Sequence, residues 1–398
     1  MARLTLAFVI CLIVLSNTVV YGYMGATKFS SDLYFECVKT TNSNVIISPF
    51  SVANAIALLS QAANENTNTY IELTRGFHIE DDKRVNKTVI ANDFRLYYDL
   101  LQSDAGNVTL SIANRIYIQQ GYKVNKTLRD VATHDFHSGI ESVNFTNKEE
   151  AAGTINHFVE EETNGLIKEL VKPDLFNYDS RVVLINAIYF KGNWLYKFDE
   201  KLTEKRTFYN YGWQEVQTDF MYFPNINLYS GYVRDLDALA LEMKYVRSSF
   251  VMLMILPINR NGLHLLETEM RGYDFDKLYE EMNHLNVRVR IPKFKIQYET
   301  QLNDVLKNLG MNEMFTQDSK LSGLLEEGEP LRVSDTIHKA FIEVNEGGSE
   351  SGAASGFLID RIVGAEDPQF IADYPFIFFI LHERTRTPVF SGRITNFE

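Results

Sequence analysis

The chain has 398 residues, of which 39 are Lys or Arg and 52 are Asp or Glu, giving a formal net charge of −13 at pH 7. So acidic a protein is not built to grip nucleic acid or a heparin-like polyanion, whose oxyanions need a cationic face. With 45% hydrophobic and 13% aromatic residues, the chain can bury a large core and is not an intrinsically disordered polymer.

Met1-Ala-Arg3 precedes an apolar run from Leu4 to Leu15, and Val20-Tyr21-Gly22 supplies compact residues for a cleavage site. This pattern predicts a secretory signal peptide over residues 1–22, too short to span a membrane and followed by no second run. The expected destination is extracellular, with no membrane association. Removing the segment deletes Arg3 alone and takes the net charge from −13 to −14. Of the two cysteines, Cys11 leaves with it. Cys37 has no partner for an internal disulfide and reads as a small buried residue. Four sequons suit a secreted chain: Asn86-Lys-Thr88, Asn107-Val-Thr109, Asn125-Lys-Thr127 and Asn144-Phe-Thr146.

Ser48-Pro-Phe-Ser51 reads as a helix cap ahead of the apolar run Val52 to Leu59. Asn147 is the expected cap of a polar helix from Lys148 towards Leu170. Val182 to Phe190 is almost continuously apolar and predicts a central strand buried on both faces. Phe250 to Leu256 is a further strand, and Val287 to Pro292 alternates as a half-exposed one. Thr300 to Met314 returns to helical spacing. Ala340 to Asn345, Phe376 to Leu381 and Val389 to Arg393 are the last strands. Helices early and strands late predict one α+β domain with mixed sheets.

The stretch from Glu346 to Gly364 is neither core strand nor plain linker. Small residues fill it, and it ends in the bait-like pair Arg361-Ile362. If it became a strand with Ser349 facing inward, Ser351, Ala353, Ser355 and Phe357 would share that face. Three glycines interrupt it, Gly348, Gly352 and Gly356, and an interior strand glycine costs roughly 0.5–1 kcal/mol relative to Ala.

The chain resembles the serpins from about Phe29 to Glu398. The resemblance rests on Asn44-Val-Ile-Ile-Ser-Pro-Phe-Ser51, Asn186-Ala-Ile-Tyr-Phe-Lys-Gly-Asn-Trp194 and Ile337-His-Lys-Ala-Phe-Ile-Glu-Val-Asn-Glu346. Phe370-Ile-Ala-Asp-Tyr-Pro-Phe376 and Val389-Phe-Ser-Gly392 complete the set. It implies a single α+β serpin-type domain over residues 23–398, with three mixed or antiparallel sheets, about nine helices and an exposed reactive-centre loop near 346–369. It also implies suicide inhibition of a protease rather than an enzyme: an acyl-enzyme forms at the bait, and the cleaved loop inserts into the main sheet. The implied hinge comprises Glu346, Gly347, Gly348, Ser349, Glu350, Ser351, Gly352, Ala353, Ala354 and Ser355. Ser48, Ser51, Asn186 and His338 match the shutter, and Trp194 and Lys293 the breach, with Lys293 partnering Glu346. Departures are Ala62 and Glu65 where the family has glycine, Gly347 in place of a second hinge glutamate, and Tyr374 where a basic residue is usual.

Counting from Glu346 in the family manner puts the primary specificity residue at Ile362, with Ile362-Val363 as the bait bond. Side-chain chemistry points to Arg361-Ile362, because a long cation suits the acidic primary pocket of trypsin-like proteases. Arg361-Ile-Val-Gly364 also has the form of a trypsin-like zymogen's activation site. The expected partner is a trypsin-like serine protease in a covalent complex with a monomeric inhibitor.

Rival chemistry is thin. His134 and His137 lack further ligands for a metal, no Gly-x-Ser-x-Gly or His-Glu-x-x-His occurs, and no cofactor is expected. Lys83, Arg84, Lys87 and Arg95 lie among Asp81, Asp82, Asp93 and Asp99, a solvated face rather than a heparin-like cofactor site. The competing functional reading is a non-inhibitory serpin acting as a binding or carrier protein.

Overall fold

The computed structural model describes residues 25–78, 86–327, 331–347 and 368–398. The signal-peptide reading, the basic pair Lys83-Arg84, the hinge from Gly348 to Ser355 and the bait bond lie outside them. Nine α-helices occur among the described residues: α1 (Ala26–Val38), α2 (Pro49–Ala62), α3 (Asn68–Gly76), α4 (Lys87–Asp104), α5 (Lys126–Asp135), α6 (Lys148–Glu162), α7 (Leu263–Glu269), α8 (Phe275–Glu280) and α9 (Asn303–Asn308). The strands are β1 (Val45–Ile47), β2 (Thr109–Gln119), β3 (Gly139–Val143), β4 (Val182–Lys191), β5 (Glu204–Asn210), β6 (Gln214–Val233), β7 (Ala238–Lys244), β8 (Phe250–Pro257), β9 (Asn283–Pro292), β10 (Phe294–Gln301), β11 (Val333–Val344), β12 (Gln369–Ile371), β13 (Phe376–His382) and β14 (Thr387–Ile394).

Five strands form one sheet in the order β10-β11-β4-β2-β3. β4 is buried along nine of its ten residues, as its unbroken apolar run demands. The other nine strands form a network ordered β1-β14-β13-β8-β7-β6-β9-β12, with β5 on β6. The 20-residue β6 shifts register against β9 between Phe223 and Ile226. Such an irregularity bends a strand. Before it β6 pairs with β5, and after it with β7, so the bent strand joins two groups of strands into one network, and the described residues form two sheets in place of the three expected.

One apolar core lies between the five-stranded sheet and the nine-stranded network, and takes Leu184, Ile188, Ala340 and Ile342. A second lies on the sheet's other face beneath α6, and takes Val183, Ile185, Ile337 and Phe341. The alternation of the strands thus feeds two cores, and α2 crosses the first of them. Ser48 caps α2, its Oγ accepting from Ser51 N at 3.2 Å with Pro49 in the first turn. Ala62, where the resemblance implies glycine, is buried at the end of α2, and its backbone passes close to Gly323, where a Cβ would stand 2.6 Å from Ala62 O.

Two sequence expectations change. The helix from Lys148 ends at Glu162, because Asn164 (φ 53°) and Gly165 (φ 76°) turn left-handed and Gly165 N donates to Glu160 O at 2.8 Å. Asn147 occupies the cap position without capping; its Nδ2 donates to Glu150 Oε2 at 2.6 Å. The helical spacing read from Thr300 to Met314 holds only for Asn303–Asn308, since Thr300 and Gln301 still pair with His338 and Ile337 in the sheet.

Candidate functional site

The chain leaves β11 at Val344 and is described again from Pro368, ahead of β12. β11 lies against β4 in parallel, with His338 opposite Asn186 and Ile342 opposite Phe190. Every other neighbour pair in this sheet except β2 with β3 is antiparallel. The β4–β11 seam is therefore a long parallel pairing between strands distant in sequence, and parallel pairing is slightly the weaker kind.

Beneath the seam runs a polar row. Register places Thr300, His338, Asn186 and Asn114 side by side on β10, β11, β4 and β2. His338 and Asn186 are fully buried and Asn114 nearly so. The start of α2 meets the row: Ser48 N donates to His338 Nε2 at 3.1 Å, Ser51 Oγ donates to Asn114 Oδ1 at 2.7 Å, and Asn114 Nδ2 returns a bond to Ser51 O at 3.1 Å. His338 is thus an acceptor at Nε2 and neutral. Burial pushes its ring down to about 3. Among the described residues, both amide atoms of Asn186 and His338 Nδ1 have no hydrogen-bond partner, which is costly in a core. Ser48, Ser51, Asn186 and His338 all reach this one place. Asn114 joins them through Ser51; the sequence signal for it is an asparagine inside the apolar run Ile112-Ala-Asn-Arg-Ile116.

At the end of β11 the chain is clamped. Lys293 Nζ lies 2.8 Å from Glu346 Oε2, and Thr203 Oγ1 donates to Glu346 Oε1 at 2.6 Å. Burial raises the Glu346 carboxyl, but the bonds from Lys293 and Thr203 outweigh it and hold the group below its ordinary range. Trp194 Nε1 donates to Asn345 O at 2.9 Å and the indole stacks on Tyr245 at 4.6 Å. Gly192 permits this approach, since a Cβ there would lie 2.4 Å from the Tyr245 ring. Asn345 Oδ1 accepts from Gly347 N at 2.8 Å, an Asx turn that starts the loop. Trp194, Lys293 and Glu346 converge as the sequence implied; Thr203 and Tyr245 carried no signal of their own.

The Serpin (serine protease inhibitor) family profile matches residues 24–397. The chain is a serpin. Antichymotrypsin-2 of Bombyx mori is 33% identical over 360 residues, covering 89% of this chain and 93% of its own length. Antitrypsin of Bombyx mori is 34% identical over 339 residues, covering 85% and 84%. Among solved structures, Serpin48, described as a highly specific serpin in the insect Tenebrio molitor, superposes with a TM-score of 0.81 at 30% identity over 94% of this chain and 97% of its own. Serpins are mostly protease inhibitors rather than enzymes, and they generally bind serine proteases. The two Bombyx mori relatives carry names for different targets at nearly equal identity, so overall similarity does not choose this serpin's protease.

Other residues singled out in the sequence fall as follows. Asn86 and Asn107 are exposed, and Asn125 and Asn144 half-buried. Asn86 and Asn125 cap α4 and α5 through Oδ1, accepting from Val89 N at 3.1 Å and Leu128 N at 3.2 Å. A glycan on Nδ2 leaves such caps intact. His137 stacks on Tyr98 at 4.0 Å and faces Asp99 at 3.2 Å, while His134 is exposed. Among the described residues no His, Cys, Asp and Glu group fits a metal ion. Lys87 donates to Gln61 O at 2.7 Å, and Arg95 lies between Asp99 and Asp135. Cys37 is buried, its thiol pushed up to about 12 by burial, and so is unreactive. Tyr374, where the family has a basic residue, donates to Pro257 O at 2.9 Å.

Proposed function

We propose that this serpin is a secreted, monomeric suicide inhibitor of trypsin-like serine proteases that regulates an extracellular proteolytic cascade, with Arg361-Ile362 as the bait bond. The observation that carries the trapping half is the parallel β4–β11 seam above a polar row with unpartnered atoms. A strand returning from the end of β11 into that seam is antiparallel to both neighbours, replacing one weaker interface with two stronger ones.

Register arithmetic supports the same reading. With Ser349 opposite Val344, a four-residue turn remains, and Ser351, Ala353, Ser355 and Phe357 fall opposite Ile342, Ala340, His338 and Thr336. That side of β11 faces the main core, so small residues enter first. Sliding by one residue would instead press Glu350 against Ile342, burying a charge at a cost of several kcal/mol. In the favoured register the Ser355 hydroxyl reaches the space between His338 and Asn186, where donors and acceptors go unanswered. Twelve loop residues from Ser349 match the twelve of β11 and stop at Asp360, next to Arg361. Ser48, Ser51, Asn114, Asn186 and His338 act as the shutter beneath this seam. Trp194, Lys293 and Glu346 hold the loop base at the breach.

Arg361 fits the acidic primary pocket of a trypsin-like protease. The tetrapeptide Arg361-Ile-Val-Gly364 matches zymogen activation sites, so the target we favour is a protease that activates such zymogens. The apolar N-terminal run and the four sequons, two of them at the exposed Asn86 and Asn107, support secretion and glycosylation.

Incubating the secreted protein with trypsin and analysing it by denaturing gel and intact mass tests this reading. A covalent complex with a released peptide beginning at Ile362 is expected. A peptide beginning at Val363 would move the bait to Ile362 and sink the zymogen likeness. Clean cleavage without a complex would leave a non-inhibitory carrier.

A further inference from the structure

The seam that must open is covered. After α6 ends, residues 163–176 cross the face of the sheet before the chain enters β4. This crossing segment buries Ile167, Leu170 and Val171, at 0%, 1% and 2% exposure, in one cluster with Ile337 and Phe341 of β11 and Val183, Ile185 and Tyr189 of β4. Glu169 O accepts from Lys339 Nζ, on β11. Neighbouring strands lie about 4.8 Å apart, so a strand placed between β4 and β11 doubles their separation. The cover cannot keep its grip on both.

One side chain decides how it lets go. Asn156, in the middle of α6, makes three hydrogen bonds to the crossing segment: its Oδ1 accepts from Leu170 N at 2.8 Å and from Val171 N at 2.9 Å, and its Nδ2 donates to Val171 O at 2.8 Å. These are backbone groups of two buried residues of the cover. Two further contacts seat the helix itself. The Arg115 guanidinium lies 3.5 Å from the Phe158 ring, and Tyr117 meets the same ring edge-on at 6.4 Å. Helix and segment are thereby joined to each other at Asn156 and to the sheet at separate points.

We propose that Asn156 is a positioning residue that welds α6 and the crossing segment into one body, so that the cover lifts from the β4–β11 seam as a unit and reseats as a unit. The proposal deepens the trapping mechanism and rests on it for its functional half. The alternative is a segment that peels alone, leaving α6 in place.

Native-state hydrogen exchange on the intact protein, without any protease, separates the two. In the wild type the Leu170 and Val171 amides exchange with the protection of the α6 interior. In Asn156→Ala they exchange roughly tenfold or more faster than α6. Asn156→Asp keeps the acceptor for both amides and restores most of the coupling. Phe145→Leu, in the same apolar cluster, loosens packing without touching the weld and leaves helix and segment exchanging together. Equal protection of segment and helix in Asn156→Ala would overturn the proposal. So would uncoupling in Phe145→Leu as large as in Asn156→Ala. The functional half is read by annealing a synthetic peptide of residues 348–360, expected to be several-fold faster in Asn156→Ala and near wild type in Asn156→Asp. A peptide that anneals to none of the variants counts against the trapping mechanism, while the exchange result still decides the weld.

Discussion

His338 shows how a buried titratable group sets a pH limit. Its ring sits near 3 when folded against an ordinary 6.5. Between those values the unfolded chain takes up a proton that the folded protein refuses. Stability is therefore complete above 6.5 and is lost as pH falls towards 3. From pH 7 to pH 5 the loss from this residue is about 2 kcal/mol. His338→Gln offers Ser48 N an acceptor but cannot titrate, so its unfolding free energy from urea curves should fall less on acidification by that amount. Parallel curves for the two proteins would place the proton elsewhere. Glu346 behaves in the opposite chemical sense: held ionised by Lys293 and Thr203, it stabilises above its ordinary 4.5 and loses that contribution as pH drops below it. Lys293→Ala leaves a buried carboxylate on one bond, at a cost of about 1–3 kcal/mol at the loop base. We expect faster conversion of the uncleaved protein to a loop-inserted form on mild heating, followed by native gel. An unchanged rate would show that the clamp does not restrain the loop.

At the scale of elements, legibility followed chemistry. Val182–Phe190 was plain because a strand buried on both faces has no polar side to confuse with a helix. Lys148–Leu170 was misjudged for the same reason in reverse: Ile167, Leu170 and Val171 continue a helical spacing, yet Asn164 and Gly165 turn the chain and those residues cover the sheet instead. Thr300 and Gln301 read as helix because their partners on β11, His338 and Ile337, lie 38 and 36 residues away in sequence and leave no local trace. The site was legible where motif residues are themselves the polar atoms, as at His338 and Glu346. It was not where the work falls to a partner such as Thr203, whose role exists only once β11 ends beside it. The loop's two inner glycines raise a prediction of this scale. Gly352 and Gly356 fall opposite Phe341 and Ile337 in the favoured register, on the face of the sheet that α6 covers, and Ala at both removes roughly 1–2 kcal/mol of strand-forming cost. The stoichiometry of inhibition should then drop towards one from a wild-type value above it. A wild type already at one would show that insertion outruns hydrolysis despite the glycines.

At the scale of the whole molecule, the proposed trap requires a sheet that is less stable than its own sequence allows. The seam pairs two strands in parallel; among the described residues three polar atoms of His338 and Asn186 beside it are buried without partners, each such group costing about 1–3 kcal/mol; and the proposed insertion adds a twelve-residue strand to it. A folded protein is stable by only about 5–15 kcal/mol, so a gain of this kind is large enough to do mechanical work on an attached protease. The same argument fixes what cutting the loop must do in the absence of any trap. In the proposed mechanism, cleavage at Arg361-Ile362 frees the loop from its far anchor at β12, and insertion then supplies two antiparallel interfaces and a hydroxyl for the orphaned row. The cleaved protein should unfold at higher urea than the intact one, and Ser355→Ala should take back part of that gain while leaving the intact protein unchanged. Ser355→Val, which fills the same space without a hydroxyl, separates packing from hydrogen bonding. Should cleavage leave the urea midpoint where it was, the loop has not entered the seam, and the stored energy that the trap requires is not there.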